Sequence, residues 1–137
     1  MIILYVVCIV EPYSVHSCRM YSSNKVDADI FDLAVSMARR STMAMKHGTC
    51  IWHRTLGVLS CGYNYETHFM CHQWSIHSEV AALMNLKRQH RNKRVLDDAV
   101  MVVVRIGRDN QCRMSKPCEK CRQAITEAGI KKVFYSC

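Results

Sequence analysis

Proline and glycine are scarce in this chain, at two and five of 137 residues. There is no internal repeat and no low-complexity stretch. With half of the residues hydrophobic, these absences argue for a globular fold and against disorder. The length suffices for one compact domain with a real core and falls short of two. No apolar run is long enough to span a bilayer. The opening "MIILYVVCIV" has no basic segment before it and no clear small-residue cleavage site after it. It reads as an N-terminal strand, buried or loosely attached; a poor signal peptide stays open as an alternative, and Met20 as an alternative start. Acidic residues are few, 11 against 19 Lys and Arg, for a formal net charge of +8. Such an excess suits nucleotides, nucleic acid or anionic lipid as partners, and it equally serves solubility.

Cysteine, by contrast, is abundant: nine residues, an odd number, with no loop-rich disulfide framework around them. The expected location is cytoplasmic or another reducing intracellular compartment. Some thiols would then bind metal and the others pack as small hydrophobes. Cys8, Cys18, Cys50, Cys61, Cys112 and Cys137 read as packing or surface residues rather than ligands.

Residues 1–25 read as an N-terminal extension without an assignable role, and residues 26–137 as the domain. "ADIFDLAVSMARR" places Ile30, Phe31, Ala34, Val35 and Ala38 on one helical face. Acidic residues at its start and Arg39 and Arg40 at its end suit the helix dipole. "TCIWHR" and "GVLSCGYN" predict two strands joined near Leu56-Gly57. A loop is expected over 65–76, then a helix from about 77 to 90 that buries Val80, Leu83, Met84 and Leu86 wholly or in part. "AVMVVVRI" reads as a central strand covered on both faces. "GRDNQCRMSK" predicts a loop, a helix follows from about 118 to 128 with Gly129 as its cap, and "KKVFYS" is a last strand. Two strand–helix–strand crossovers imply an α/β fold with partly parallel pairing, helices covering the sheet in three α/β/α layers. Ligands in such sheets bind where strands end and helices begin.

Two motifs fall at predicted helix starts. In "KPCEKC", Cys118 and Cys121 lie one helical turn apart after Pro117. A helix N-terminus favours thiolates, and two so placed are good zinc ligands. In "SIHSEVAAL", His77 and Glu79 are two apart. Residues two apart do not share a helix flank. First-turn side chains tilt back toward the N-terminus, so both can reach a metal lying off the helix end. His77, Cys118 and Cys121 are thus the expected ligands of one Zn²⁺. A water or hydroxide is expected in the fourth position, with Glu79 as the group that moves its proton. A CxxC also serves as a redox pair or as half of a structural zinc site. Cys71 and His72 lie near enough to His77 in sequence for a closed four-ligand site. The combination of motifs favours the catalytic arrangement.

"HSE" followed by "PCEKC" resembles the signature of the zinc-dependent nucleobase deaminases. Over roughly residues 28–137 the element order is similar to the cytidine deaminase fold, and most similar to the cytidine/deoxycytidylate deaminase group. That resemblance implies a mixed β-sheet covered by helices. It implies zinc on His77, Cys118 and Cys121, a proton shuttle at Glu79, and a substrate contact from Asn64 at the end of "GYN". The implied reaction is hydrolytic deamination at C4 of a cytosine nucleoside or nucleotide. Deamination of tRNA adenosine or of cytosine in nucleic acid is the alternative, for which "KRQHRNKR" gives some support. A non-catalytic domain with structural zinc is the other. A homo-oligomer without membrane association is expected. The chain ends just after its last predicted strand, where many relatives continue, so an open sheet edge or a subunit contact is expected there.

Overall fold

The computed structural model describes residues 3–7, 28–89 and 96–137. Met20, Arg91, Lys93 and Arg94 of the basic run, and most of the N-terminal extension lie outside the described residues. The order is β1 (Ile3–Val7), α1 (Ala28–Arg40), β2 (Lys46–His53), β3 (Gly57–Tyr63), β4 (Tyr65–Phe69), β5 (His72–Ile76), α2 (Ser78–Gln89), β6 (Ala99–Ile106), β7 (Cys112–Arg113), α3 (Glu119–Ala128) and β8 (Lys132–Ser136). The main sheet runs β1-β8-β6-β2-β3, with β7 beside β6. β2 lies antiparallel between β3 and β6, while β6 and β8 are parallel. The mixed sheet therefore follows from one hairpin and two crossover helices.

β6 is buried on both faces. Ala99, Met101 and Val103 pack with Ala82, Leu83 and Leu86 of α2 and Ile125 of α3. Val100, Val102 and Val104 pack with Ile30, Ala34 and Val35 of α1. Alternate residues of one strand thus reach opposite helical layers, which gives the expected three layers. Two glycines set how closely the helices approach. A Cβ on Gly48 would meet the Ala34 carbonyl and Ala38 nitrogen of α1, and one on Gly62 would meet the backbone of Ala81 and Ala82 in α2.

Several expectations need correction. Residues 65–76 form a β-hairpin rather than a loop: β4 and β5 pair antiparallel, Thr67 opposite Trp74 and Phe69 opposite His72, around a turn with Met70 at φ 55°. Its polar and sulfur-bearing residues mask the two-residue alternation. The edge expected beside β8 is covered, because β1 pairs parallel with it from Ile3↔Lys132 to Val7↔Ser136. The predicted loop after β6 contains the short β7. Met84 is 39% exposed, on the side of α2 turned away from the core.

The close approach at Gly62 predicts that Gly62→Ala destabilises the domain by about 2 kcal/mol or more, as overpacking against backbone does. Gly107→Ala, where a Cβ meets only the side chains of Asp109 and Arg113, should stay within roughly 0.5 kcal/mol of the parent. Urea unfolding of both variants measures the difference.

Candidate metal centre

α2 and α3 begin at the same end of the sheet. The His77 carbonyl accepts the Ala81 N–H (2.9 Å), and the Cys118 carbonyl accepts the Arg122 N–H (2.9 Å). Both residues therefore cap their helices, one position before the regular helix begins. Cys118 has the extended conformation of an N-cap (φ −68°, ψ 168°). Pro117 consequently precedes the cap, and the predicted helix starts at 77 and 118 move to Ser78 and Glu119.

This convergence brings His77 Nδ1 to 3.3 Å from Cys121 Sγ and 3.7 Å from Cys118 Sγ. All three ligand atoms lie within 4.8 Å of one another. Zn–S bonds of about 2.3 Å and Zn–N bonds of about 2.05 Å at tetrahedral angles place sulfur and nitrogen about 3.6 Å apart. The donors are thus already spaced for one zinc. Cys121 is buried, whereas His77 and Cys118 are exposed, so the cluster opens on one side. Among the described residues the cluster holds these three; Cys71 and His72, at the hairpin turn, do not join it. Burial first, then the Glu79 carboxylate, push the Cys121 thiol well above its ordinary range. A cation between the donors removes that penalty, and the two helix N-termini contribute about half a positive charge each.

Glu79 is 4% exposed in the first turn of α2. Ser78 Oγ lies 3.2 Å from Glu79 Oε2 and 2.8 Å from Thr49 Oγ1 of β2, so a hydroxyl chain ties the carboxylate to the sheet. Glu79, His77 and Cys118 line one cavity of about 340 Å³. Asn64 lines it too, but its amide already serves the backbone. Its Oδ1 accepts the His47 N–H (2.8 Å), and its Nδ2 donates to the Met45 carbonyl (2.6 Å). These bonds hold the segment that forms the cavity wall at Met43, Met45 and His47.

Sequence reasoning missed His47, Glu66 and Lys116, which also line the cavity. His47 belongs to β2, whose start was placed three residues late, at Thr49. Burial lowers its pKa, with the neighbouring Glu79 opposing. Glu66 stands on the hairpin read as a loop. Two serines fix the approach to Pro117. Ser115 Oγ donates to the Val103 carbonyl (2.8 Å) and accepts the Ser136 N–H (2.9 Å), while Ser136 Oγ donates to the Arg113 carbonyl (2.7 Å).

The family model described as the cytidine and deoxycytidylate deaminase zinc-binding region matches residues 24–137. The chain belongs to this family. Its fold is similar to that of a dCMP deaminase from the cyanophage S-TIM5 (22% identity, TM-score 0.58, covering 78% of this chain and 79% of that one). It is also similar to cytidine deaminases from Burkholderia pseudomallei (20%, TM-score 0.55, covering 74% and 75%) and Mycobacterium leprae (18%, TM-score 0.52, covering 76% and 83%). No curated protein matches the chain. No helix among the described residues is long and apolar enough to cross a membrane.

The donor spacing predicts about one zinc per chain. Cys118→Ser and Cys121→Ser should each lose most of it, because each removes one of the two sulfur donors of the cluster. Occupancy should also fall as pH drops, since protons compete with the metal for the thiolates. Metal analysis after dialysis tests both; full zinc in both serine variants contradicts the site.

Proposed function

We propose that this chain catalyses zinc-dependent hydrolytic deamination of a cytosine nucleoside or nucleotide to its uracil form. The observation that carries this reading is that buried Glu79 faces the same cavity as His77 and Cys118. His77, Cys118 and Cys121 would hold a zinc, which when bound would supply a water with a pKa close to neutral. Glu79 would carry the two protons of that water in turn, one to the ring nitrogen and one to the amino group, which leaves as ammonia while the oxygen on C4 becomes the carbonyl. The hydroxyl of Ser78 holds the carboxylate in place for both transfers. Asn64, through its bonds to Met45 and His47, positions the wall against which the substrate lies.

The cavity is at the small end of the range for small-molecule sites, which suits a nucleoside or mononucleotide. Lys116 on its lining has no ion-pair partner among the described residues and favours an anionic substrate group. Lys87 and Arg88 lie in the last turn of α2, a 12-residue helix. At about 1.5 Å per residue they stand some 15 Å from its start, beyond the reach of a mononucleotide phosphate held at His77. A homo-oligomer belongs to the same proposal. The outer face of the β4–β5 hairpin, with Phe69 68% and Trp74 59% exposed, supports it.

Ammonia release from zinc-loaded protein tests the reaction on cytidine, deoxycytidine, CMP, dCMP, guanine, adenosine and a tRNA. Turnover is expected on a cytosine nucleoside or nucleotide. Glu79→Gln should keep its zinc and lose activity by about 10²-fold or more. Turnover of tRNA alone would favour the nucleic-acid alternative, and an inert protein with full zinc the structural one.

A further inference from the structure

Cys50 and Cys61 stand directly opposite each other on β2 and β3. Their sulfurs are 3.0 Å apart, and both thiols are free. Neither belongs to the metal cluster. Cys50 is fully buried against α1, in the core with Ile30, Ala34 and Val35. Cys61 is half-buried and lines a separate surface hollow of about 500 Å³ with Met37, Arg40 and Tyr63. Arg40 lies over the Tyr63 ring, 5.2 Å from its centre, which keeps a guanidinium in that hollow. One sulfur is therefore reachable from solvent, and the other waits behind it within bonding reach.

We propose that Cys50 and Cys61 form an oxidisable dithiol, a modification site distinct from the zinc centre, in which Cys61 reacts with a small peroxide and Cys50 resolves it as an intramolecular disulfide.

The chemistry balances. The Cys61 thiolate attacks one oxygen of hydrogen peroxide, the O–O bond breaks, and hydroxide leaves, giving a sulfenic acid. The Cys50 sulfur then attacks the Cys61 sulfur and the S–O bond breaks. With the two thiol protons the overall products are one disulfide and two waters. Cys50 is buried behind Cys61, and of the two only Cys61 lines the hollow, so access makes Cys61 the attacking thiolate. Directly opposed residues in a sheet have Cβ atoms about 4.5–5.5 Å apart, and a disulfide needs about 3.5–4.5 Å. Closing the bond therefore draws β2 and β3 together locally. Three residues along from the two cysteines lie His47, near the start of β2, and Asn64, just past the end of β3, which bond each other and hold the cavity wall. The modification thus acts on the backbone pair that shapes the cavity.

The test uses the full, zinc-loaded chain treated with increasing hydrogen peroxide. Alkylation of remaining thiols is followed by peptide mass spectrometry with and without dithiothreitol. The expected result is a Cys50–Cys61 cross-link, two of the nine thiols lost together and regained on reduction, at peroxide levels that leave the other cysteines alkylated. Cys50→Ala should instead leave a Cys61 sulfenic acid that dimedone traps, and Cys61→Ala should leave Cys50 unoxidised. Oxidation of other cysteines first, or over-oxidation of Cys61 in the unmodified chain without a cross-link to Cys50, overturns the proposal. Both outcomes are read from thiols, so they stand apart from any result on deamination.

Discussion

The site depends on one constraint, the meeting of two helix N-termini at one end of the sheet. His77 caps α2 and Cys118 caps α3, and each caps where a crossover leaves the sheet. The cap position is where backbone donors lack partners and where the helix field favours negative charge. Thiolates, a carboxylate and the electrons of an imidazole gather there at lower cost than on a helix flank. That geometry also explains how His77 and Glu79 line one cavity although they are two residues apart. One caps the helix and the other occupies its first turn.

Buried polar bonds convert this convergence into a fixed geometry. Thr49 and Ser78 tie Glu79 to β2. Ser115 and Ser136 tie the segment before Pro117 to β6 and β8. Asn64 ties the chain entering β2 to the chain leaving β3. Each of these polar groups is buried and partnered, as interior hydroxyls and amides must be. Gly48 and Gly62 add the second requirement, since they let α1 and α2 lie against the sheet at distances that a Cβ would forbid.

Much of this was legible in the sequence because it is local. The continuous apolar run of β6, the Gly129 cap (φ 93°) and the periodicity of α1 each follow from neighbouring residues. The convergence of His77, Cys118 and Cys121 was legible for the same reason: both half-motifs mark helix starts, and an α/β crossover brings such starts together. What escaped depends on tertiary pairing. The opening strand was expected, but not its partner: β1 joins β8 across more than a hundred residues of chain. The β4–β5 hairpin alternates polar and apolar residues too unevenly for a periodicity argument. His47 and Lys116 have no motif and acquire meaning only from the cavity they line. Asn64 was singled out by resemblance as a substrate contact, and the structure adds a backbone-holding role that strand-end position alone does not reveal.

The central claim is that three protein donors at two helix caps hold one zinc and leave its fourth position open to the cavity. Zinc K-edge X-ray absorption of the loaded chain tests it most directly. The account predicts two sulfur scatterers at about 2.3 Å and two nitrogen or oxygen scatterers at about 2.0–2.1 Å. One of the latter should change when a cytosine-like ligand enters the cavity. A shell of three or four sulfurs, or a four-coordinate shell indifferent to any such ligand, would contradict it.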